Sequence, residues 1–99
     1  MEKLQKLVEK NPDDPFPRYG LAMELRGQNR TREAVEAFSK LVELRSNYVP
    51  AYLQYGAALV ELGEEEKARA VIKAGMEISS SAGDRHAFEE LQAALENLA

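Results

Sequence analysis

The order of apolar and polar residues along this chain predicts α-helices from end to end. Apolar side chains recur at the i, i+3, i+4 spacing that places them on one helix face, as Leu4, Leu7 and Val8 do near the start. We therefore expect an all-α fold of about six antiparallel helices. The predicted helices cover residues 2–10, 15–26, 31–45, 50–62, 64–78 and 84–98.

Capping residues support the ends of these helices. Asp14 and Thr31 are residue types whose side-chain oxygen can accept a hydrogen bond from a helix's first free N–H groups. Pro15 suits a first helical position, where the missing N–H costs nothing. Asp84 is predicted to cap the last helix, after a loop at residues 79–83.

The chain contains an internal repeat. Two copies share an aromatic residue, a second aromatic followed by glycine, an apolar residue, a turn glycine, a small residue and a further apolar residue. Gly20 and Gly56 stand 36 positions apart, and we assign two extra residues of the earlier copy to its turn at residues 27–31. The earlier copy is Phe16, Tyr19, Gly20, Met23, Gly27, Ala34 and Phe38, and the later is Tyr52, Tyr55, Gly56, Leu59, Gly63, Ala68 and Ile72.

These residues and their spacing resemble the tetratricopeptide repeat, a helix pair with the pattern W-x2-L-G-x2-Y and a period of about 34 residues. The resemblance implies that Gly20 and Gly56 lie where helix A approaches helix B, facing the small residues Ala34 and Ala68. It also implies a right-handed α-α superhelix with the A helices on its concave side. The aromatic residues expected to fill the core are Phe16, Tyr19, Tyr52 and Tyr55.

The predicted organisation is a single domain over residues 1–99. Repeat 1 covers about 13–48, repeat 2 about 49–82, and a terminal capping helix about 84–98. Half-repeats at both ends are expected to cover apolar faces that two repeats alone would leave open. Phe88, Leu91 and Leu95 continue the repeat spacing in the last helix, but Gln92 stands where glycine would be.

Composition narrows the functional class. The chain has 99 residues, 44% of them hydrophobic and 30% charged, and a net charge of −4. This charge, without clustered Lys and Arg, argues against nucleic acid and anionic membranes as partners. The absence of cysteine excludes disulfides and fits a reducing compartment. We therefore expect a cytoplasmic protein, unless the chain is a fragment of a longer or exported one.

The sequence offers no constellation for catalysis, a metal or a cofactor. His86 is the only histidine and is expected at an exposed helix start. The acidic triplet 64–66 is explained by favourable interaction with a helix dipole. No G-x-S-x-G motif surrounds the serines at 79–81, and no glycine belongs to a phosphate-binding loop. The sequence therefore predicts neither an enzyme nor a bound cofactor.

The resemblance implies a non-enzymatic protein-interaction module that binds a partner's peptide or helix along its A helices. The alternative is self-association, in which the same apolar face pairs two copies into a homodimer. Family members that grip acidic chain ends use Lys, Asn and Arg on this face, and this chain does not. Glu24 and Glu61 at the edge would favour basic ligand residues. The residues predicted to line the groove are Pro17, Leu21, Glu24, Leu25, Leu53, Gln54, Ala57, Val60 and Glu61.

Overall fold

The computed structural model of the protein describes residues 1–98, and within this range the chain forms six α-helices and no strand. The all-α prediction is therefore confirmed. The helices are α1 (Glu2–Lys10), α2 (Pro15–Gly27), α3 (Thr31–Leu44), α4 (Val49–Glu61), α5 (Glu65–Ala82) and α6 (Arg85–Asn97).

Two of the predicted caps are present and one is not. The carboxylate of Asp14 accepts from the N–H of Phe16 at 3.0 Å, and that of Asp84 accepts from the N–H of Ala87 at 3.0 Å. Thr31 is instead the first residue of α3, and Arg30 holds the cap position without a side-chain hydrogen bond.

The prediction of a loop at residues 79–83 is wrong, because α5 continues to Ala82. Ser79 is buried, and its hydroxyl donates to the carbonyl of Met76 at 3.1 Å, one turn earlier in the helix. A serine that bonds back to its own helix in this way is compatible with the helix interior. Gly83, with a φ of 73°, ends the helix in the left-handed conformation.

The six helices form two layers. Each helix packs against the next along the chain, and α2, α4 and α6 also contact one another in order. We call these three the A layer, and α1, α3 and α5 the B layer. The described chain measures 38 by 29 by 18 Å, so the layers extend in one direction.

The core has two centres. The first lies between α2, α3 and α4, where Phe38 and Leu41 are fully buried and the Phe38 ring stacks on Tyr55 with centroids 6.1 Å apart. The second joins α4, α5 and α6 through Tyr52, Ile72 and Leu91. Together the two centres connect the helices from α2 to α6.

The repeat period is 34 residues, which corrects the predicted spacing of 36. The N–H of Arg30 donates to the carbonyl of Leu25 and the N–H of Glu64 to the carbonyl of Leu59, each at 2.9 Å. These two turn hydrogen bonds are 34 positions apart, and so are the starts of α2 and α4. Asn29 has a φ of 62° in the turn where the later copy has Gly63 at 76°. The turn at residues 27–31 therefore contains no extra residues.

This period changes the residues that correspond between the repeats. The position of Gly56 is held in the first repeat by Ala22, which is fully buried, and not by Gly20. Gly20 instead faces the side chain of Leu4 on α1. Phe16, predicted to lie in the core, is 73% exposed. Aromatic residues and glycines are the most recognisable part of the pattern, but an alanine serves the close helix contact equally well.

Candidate protein-binding groove

A recess of about 270 Å³ lies along the A layer, where α4 meets α6. Pro50 and Leu53 of α4 contribute its apolar part, and Tyr19 of α2 lies on one side. We call this feature the α4/α6 recess. Its lining residues are Tyr19, Val49, Pro50, Leu53, Gln54, Asp84, His86, Ala87, Glu90 and Leu91.

An apolar strip continues the α4/α6 recess along the A layer. Leu53, Ala57 and Val60 are spaced four and three residues apart on α4 and therefore share one helix face. The matching positions of α2, 34 residues earlier, are Tyr19, Met23 and Arg26. Phe16 precedes them at the position of Pro50, which lines the recess. We call Phe16, Tyr19, Met23, Leu53, Ala57 and Val60 the apolar strip, and the strip and recess together the groove.

Two of the residues predicted to line the groove on α2 are buried instead, and a third packs against the core. Pro17 is buried, and Leu25 is only 6% exposed. Leu21 is partly buried and packs against the core around Phe38. The cause is the two-residue error in repeat spacing, which rotates α2 by about 200° at 3.6 residues per turn. Pro17 and Leu25 are therefore unavailable to a partner.

The predicted residues of α4 are more accessible. Leu53 and Gln54 line the α4/α6 recess, and Ala57 is partly buried. Val60 is 39% exposed, and Glu61 is exposed. Glu24 of α2 is also exposed, and its carboxylate accepts from the amide of Gln28 at 3.1 Å.

Several groove residues were missed in the sequence. On α2 they are Phe16, Tyr19 and Met23. The 34-residue period would have found Tyr19 and Met23 as counterparts of Leu53 and Ala57, but Phe16 corresponds to Pro50, which was itself not predicted to line the groove. The α6 residues of the recess were missed because this helix was expected only to cap the second repeat. The α6 residues that line the recess are Asp84, His86, Ala87, Glu90 and Leu91.

Arg26 joins α2 to α4 beside the apolar strip. Its Nε lies 3.0 Å from Oε1 of Glu61 and its Nη2 lies 3.2 Å from Oε2, which makes a bidentate ion pair. Its Nη1 donates to Oε1 of Gln54 at 2.6 Å. The charge of Glu61 is thus matched within the protein, and Glu61 is not a free anion at the edge of the groove.

The α6 side of the α4/α6 recess is acidic. Asp84 uses Oδ1 to cap α6, and Glu90 lies 3.3 Å from Nε2 of His86. Neither Lys nor Arg is among the residues that line the recess in the described part of the chain. The recess therefore has an aromatic and apolar side and a negatively charged side.

The tyrosine at the recess stays uncharged at ordinary pH. Burial raises the pKa of Tyr19, the nearby Tyr48 raises it further, and the positive charge of Arg26 opposes the change. The two rings lie 5.6 Å apart between centroids. Tyr19 thus offers an aromatic face to a ligand without a negative charge of its own.

The acidic triplet 64–66 is paired with cations. Glu64 contacts Lys67 at 3.1 Å and Arg32 at 3.2 Å, and these two groups lower its pKa. Glu66 lies 2.7 Å from Arg69. Across residues 1–98, three or more His, Asp or Glu side chains nowhere come together as a metal site would require. The same residues contain no helix with the length and apolar character of a membrane span.

The two-layer fold and the groove define a helical-repeat solenoid. A family model described as Tetratricopeptide repeat matches residues 25–98. The chain belongs to the tetratricopeptide repeat family, as its sequence pattern predicted. The sequence matches none of the curated proteins with which it was compared.

Solved structures agree with this assignment. A crystal structure of a tetratricopeptide repeat domain protein from Salinibacter ruber is 30% identical, with 86% of this chain and 94% of that chain covered and a TM-score of 0.81. PcrH in complex with the chaperone binding region of PopD is 14% identical, with 96% and 72% covered and a TM-score of 0.89. The TPR2B domain of yeast Sti1 in complex with pHsp70 is 17% identical, with 93% and 79% covered and a TM-score of 0.76. The last two show likeness of fold alone.

Proposed function

We propose that the protein is a non-enzymatic interaction module that holds a short segment of a partner protein in the groove. The observation that carries this proposal is the apolar strip, in which Phe16 is 73% and Val60 39% exposed. The strip lies on helices fixed by the core and by the Arg26–Glu61 ion pair. A rigid surface of this kind loses little entropy when it binds a ligand.

Two structural neighbours support this function. PcrH is described in complex with the chaperone binding region of PopD, and the TPR2B domain of Sti1 in complex with pHsp70. These neighbours share little sequence with the present protein, so we infer the chemistry of its partner from its own groove residues. In particular, the apolar side chains of Leu53 and Ala57 favour an apolar contact at this part of the groove.

The expected affinity is modest. Fully burying an exposed apolar side chain contributes about 1.5–3 kcal/mol. Phe16 can gain most of this amount against a ligand, and Leu53 and Val60 only a part, because they are already partly covered. Some of this free energy is offset, because association costs translational and rotational freedom and orders the ligand. We therefore expect dissociation constants on the order of micromolar for a short peptide.

The first experiment is a selection of displayed random peptides on the immobilised protein. Peptides of about 12 residues span roughly 40 Å when extended, close to the 38 Å length of the protein. Selected peptides are then synthesised, and their affinities for purified variants are measured by fluorescence anisotropy. Phe16→Ser with Val60→Ser removes two exposed apolar side chains from the strip, and we expect the dissociation constant to rise about tenfold or more.

The matched control is Leu7→Ser with Leu44→Ser. These leucines are 45% and 40% exposed on α1 and α3, in the B layer. This control should leave the affinity within about twofold, since the same kind of apolar area is lost away from the groove. Equal losses in both variants, or a selection that yields no binding peptide, would contradict the proposed function.

Self-association through the same strip is the competing use of this surface. Sedimentation velocity over a concentration series, with and without the selected peptide, separates the two uses. A groove that binds partners predicts a monomer at every concentration tested. A dimer that the Phe16→Ser, Val60→Ser variant dissociates would replace the proposed function with self-pairing.

A further inference from the structure

We propose that the groove selects partner segments that carry a basic side chain, which lodges in the α4/α6 recess between the Tyr19 ring and the carboxylates of Asp84 and Glu90. This inference rests on the proposed function and specifies the chemistry of its ligand. The occupant is an apolar peptide segment with an arginine or lysine at one position, and not an acidic chain end.

The inference starts from the unequal sides of the α4/α6 recess. Tyr19 lines it from α2, Pro50 and Leu53 from α4, and Asp84 and Glu90 from α6. An arginine or lysine has an apolar stem and a charged head. Such a side chain would place its apolar stem against Pro50 and Leu53 and its charged head near the carboxylates.

The negative charge of the recess is matched only in part within the described residues. Glu90 contacts His86, whereas Asp84 accepts a hydrogen bond from the N–H of Ala87 through Oδ1 and forms no ion pair with a described residue. Arg26, the cation that joins α2 to α4, is held by Glu61 and Gln54 at distances of 2.6 to 3.2 Å. A cationic ligand group would therefore meet the Asp84 carboxylate without an ion-pair partner among the described residues, and Glu90 with only His86 beside it.

Glu90 contacts its neighbour on the same helix. Nε2 of His86 lies 3.3 Å from Oε1 of Glu90, one turn away on α6, and both residues line the recess. Both side chains are exposed, so this contact is weak and a cationic ligand group can replace His86 beside the carboxylate.

The aromatic face of Tyr19 adds to the preference for a cation. A guanidinium or ammonium group is attracted to the face of a tyrosine ring, and arginine also stacks on it. An anionic side chain would meet two carboxylates in a confined space, and like charges oppose binding there. The protein's net charge of −4 also favours the approach of basic segments.

The test uses the peptides selected on the parent protein and the charge-neutral variant Asp84→Asn with Glu90→Gln. Asparagine caps helices about as well as aspartate, so α6 should keep its start, and glutamine preserves the shape of glutamate. We expect the selected peptides to be enriched in Arg and Lys. We also expect the variant to bind them about tenfold or more weakly, with a smaller loss of affinity as salt is added.

Two controls isolate the charge. Glu36→Gln with Glu43→Gln removes the same two negative charges from α3, on a separate cleft of the B layer, and should change the affinity by less than about twofold. A peptide in which the key arginine is replaced by neutral citrulline should bind the parent and the Asp84→Asn, Glu90→Gln variant equally. This second result would assign the lost affinity to the pairing of that arginine with the recess.

The outcomes separate this inference from the proposed function. Peptides that need Phe16 and Val60 but are not enriched in Arg or Lys would overturn the inference and leave groove binding in place. Equal affinity of the Asp84→Asn, Glu90→Gln variant and the Glu36→Gln, Glu43→Gln control would also overturn it. Peptides that bind the Phe16→Ser, Val60→Ser variant as tightly as the parent would instead contradict the proposed function itself.

Discussion

At the scale of single residues, a close contact between α4 and α5 in the second repeat depends on the absence of a side chain at Gly56. A Cβ atom at this position would lie 2.7 Å from Cγ1 and 3.1 Å from Cδ1 of Ile72, which is itself 2% exposed in the core. Ile72 is confined by its neighbours, so α4 and α5 would have to separate to admit a methyl group.

This contact predicts that Gly56→Ala destabilises the protein. Overpacking costs about 1–3 kcal/mol, which exceeds the gain of about 1 kcal/mol in helix propensity when alanine replaces glycine within a helix. The free energy of unfolding from urea denaturation, followed by circular dichroism, measures the net change.

Gly20→Ala is the matched control. The added Cβ would lie 3.2 Å from Cδ2 of Leu4, the end of a flexible and partly exposed side chain that can move. We expect this variant to be neutral or slightly stabilised. If Gly20→Ala proves the more damaging of the two, the 34-residue correspondence of Gly56 with Ala22 is wrong.

The same residues explain what the sequence could and could not predict. Gly56 and Ala68 were placed correctly at the helix contact, because the second repeat has its glycine, turn glycine and small residue at the spacing that the pattern requires. In the first repeat Tyr19 and Gly20 imitate the pattern two residues too early. The true positions hold Leu21 and Ala22, whose types are too common in helices to mark a contact.

At the scale of helices, α6 covers the end of the second repeat. Leu91 is 1% exposed and packs in the core with Tyr52 and Ile72. Its Cδ1 is one of the atoms that a Cβ at Gly75 would approach, at 3.1 Å. Helix α6 therefore stabilises both α4 and α5, as a capping helix is expected to do.

Leu91→Ala should consequently destabilise the protein by about 2–5 kcal/mol, the usual cost of removing a buried leucine side chain and leaving a cavity. Thermal and urea unfolding measure this change. Leu44→Ala, at a leucine that is 40% exposed on α3, is the control and should cost less than about 1 kcal/mol. Equal effects of the two substitutions would mean that α6 does not cap the core.

The boundary between α5 and α6 shows a limit of helix prediction from local composition. Three serines followed by alanine and glycine are typical of a loop, yet α5 continues through Ser79, Ser80 and Ser81. Packing decides this case, because Ser79 is fully buried and its hydroxyl bonds within the helix. Burial and a hydrogen bond one turn back cannot be inferred from the residue type alone.

At the scale of the whole molecule, the solenoid was predictable from the sequence, and the residues that line its groove were predictable only in part. The order of helices follows from apolar periodicity and capping, and a small error in residue position does not change it. The predicted direction of a side chain is more sensitive, because a shift of two residues moves the side chain to the opposite face of a helix. The groove residues predicted on α4 are accessible or line the recess, whereas the prediction on α2 placed Leu25 outside a core that contains it.

The central claim is that partners bind along the A layer. Its most direct test is a titration of isotope-labelled protein with a selected peptide, followed residue by residue in two-dimensional nitrogen–proton correlation spectra. We predict that the largest changes fall on α2, α4 and α6, around Phe16, Tyr19, Leu53, Val60 and Glu90. Changes concentrated on α3 and α5, with these residues unaffected, would contradict the account.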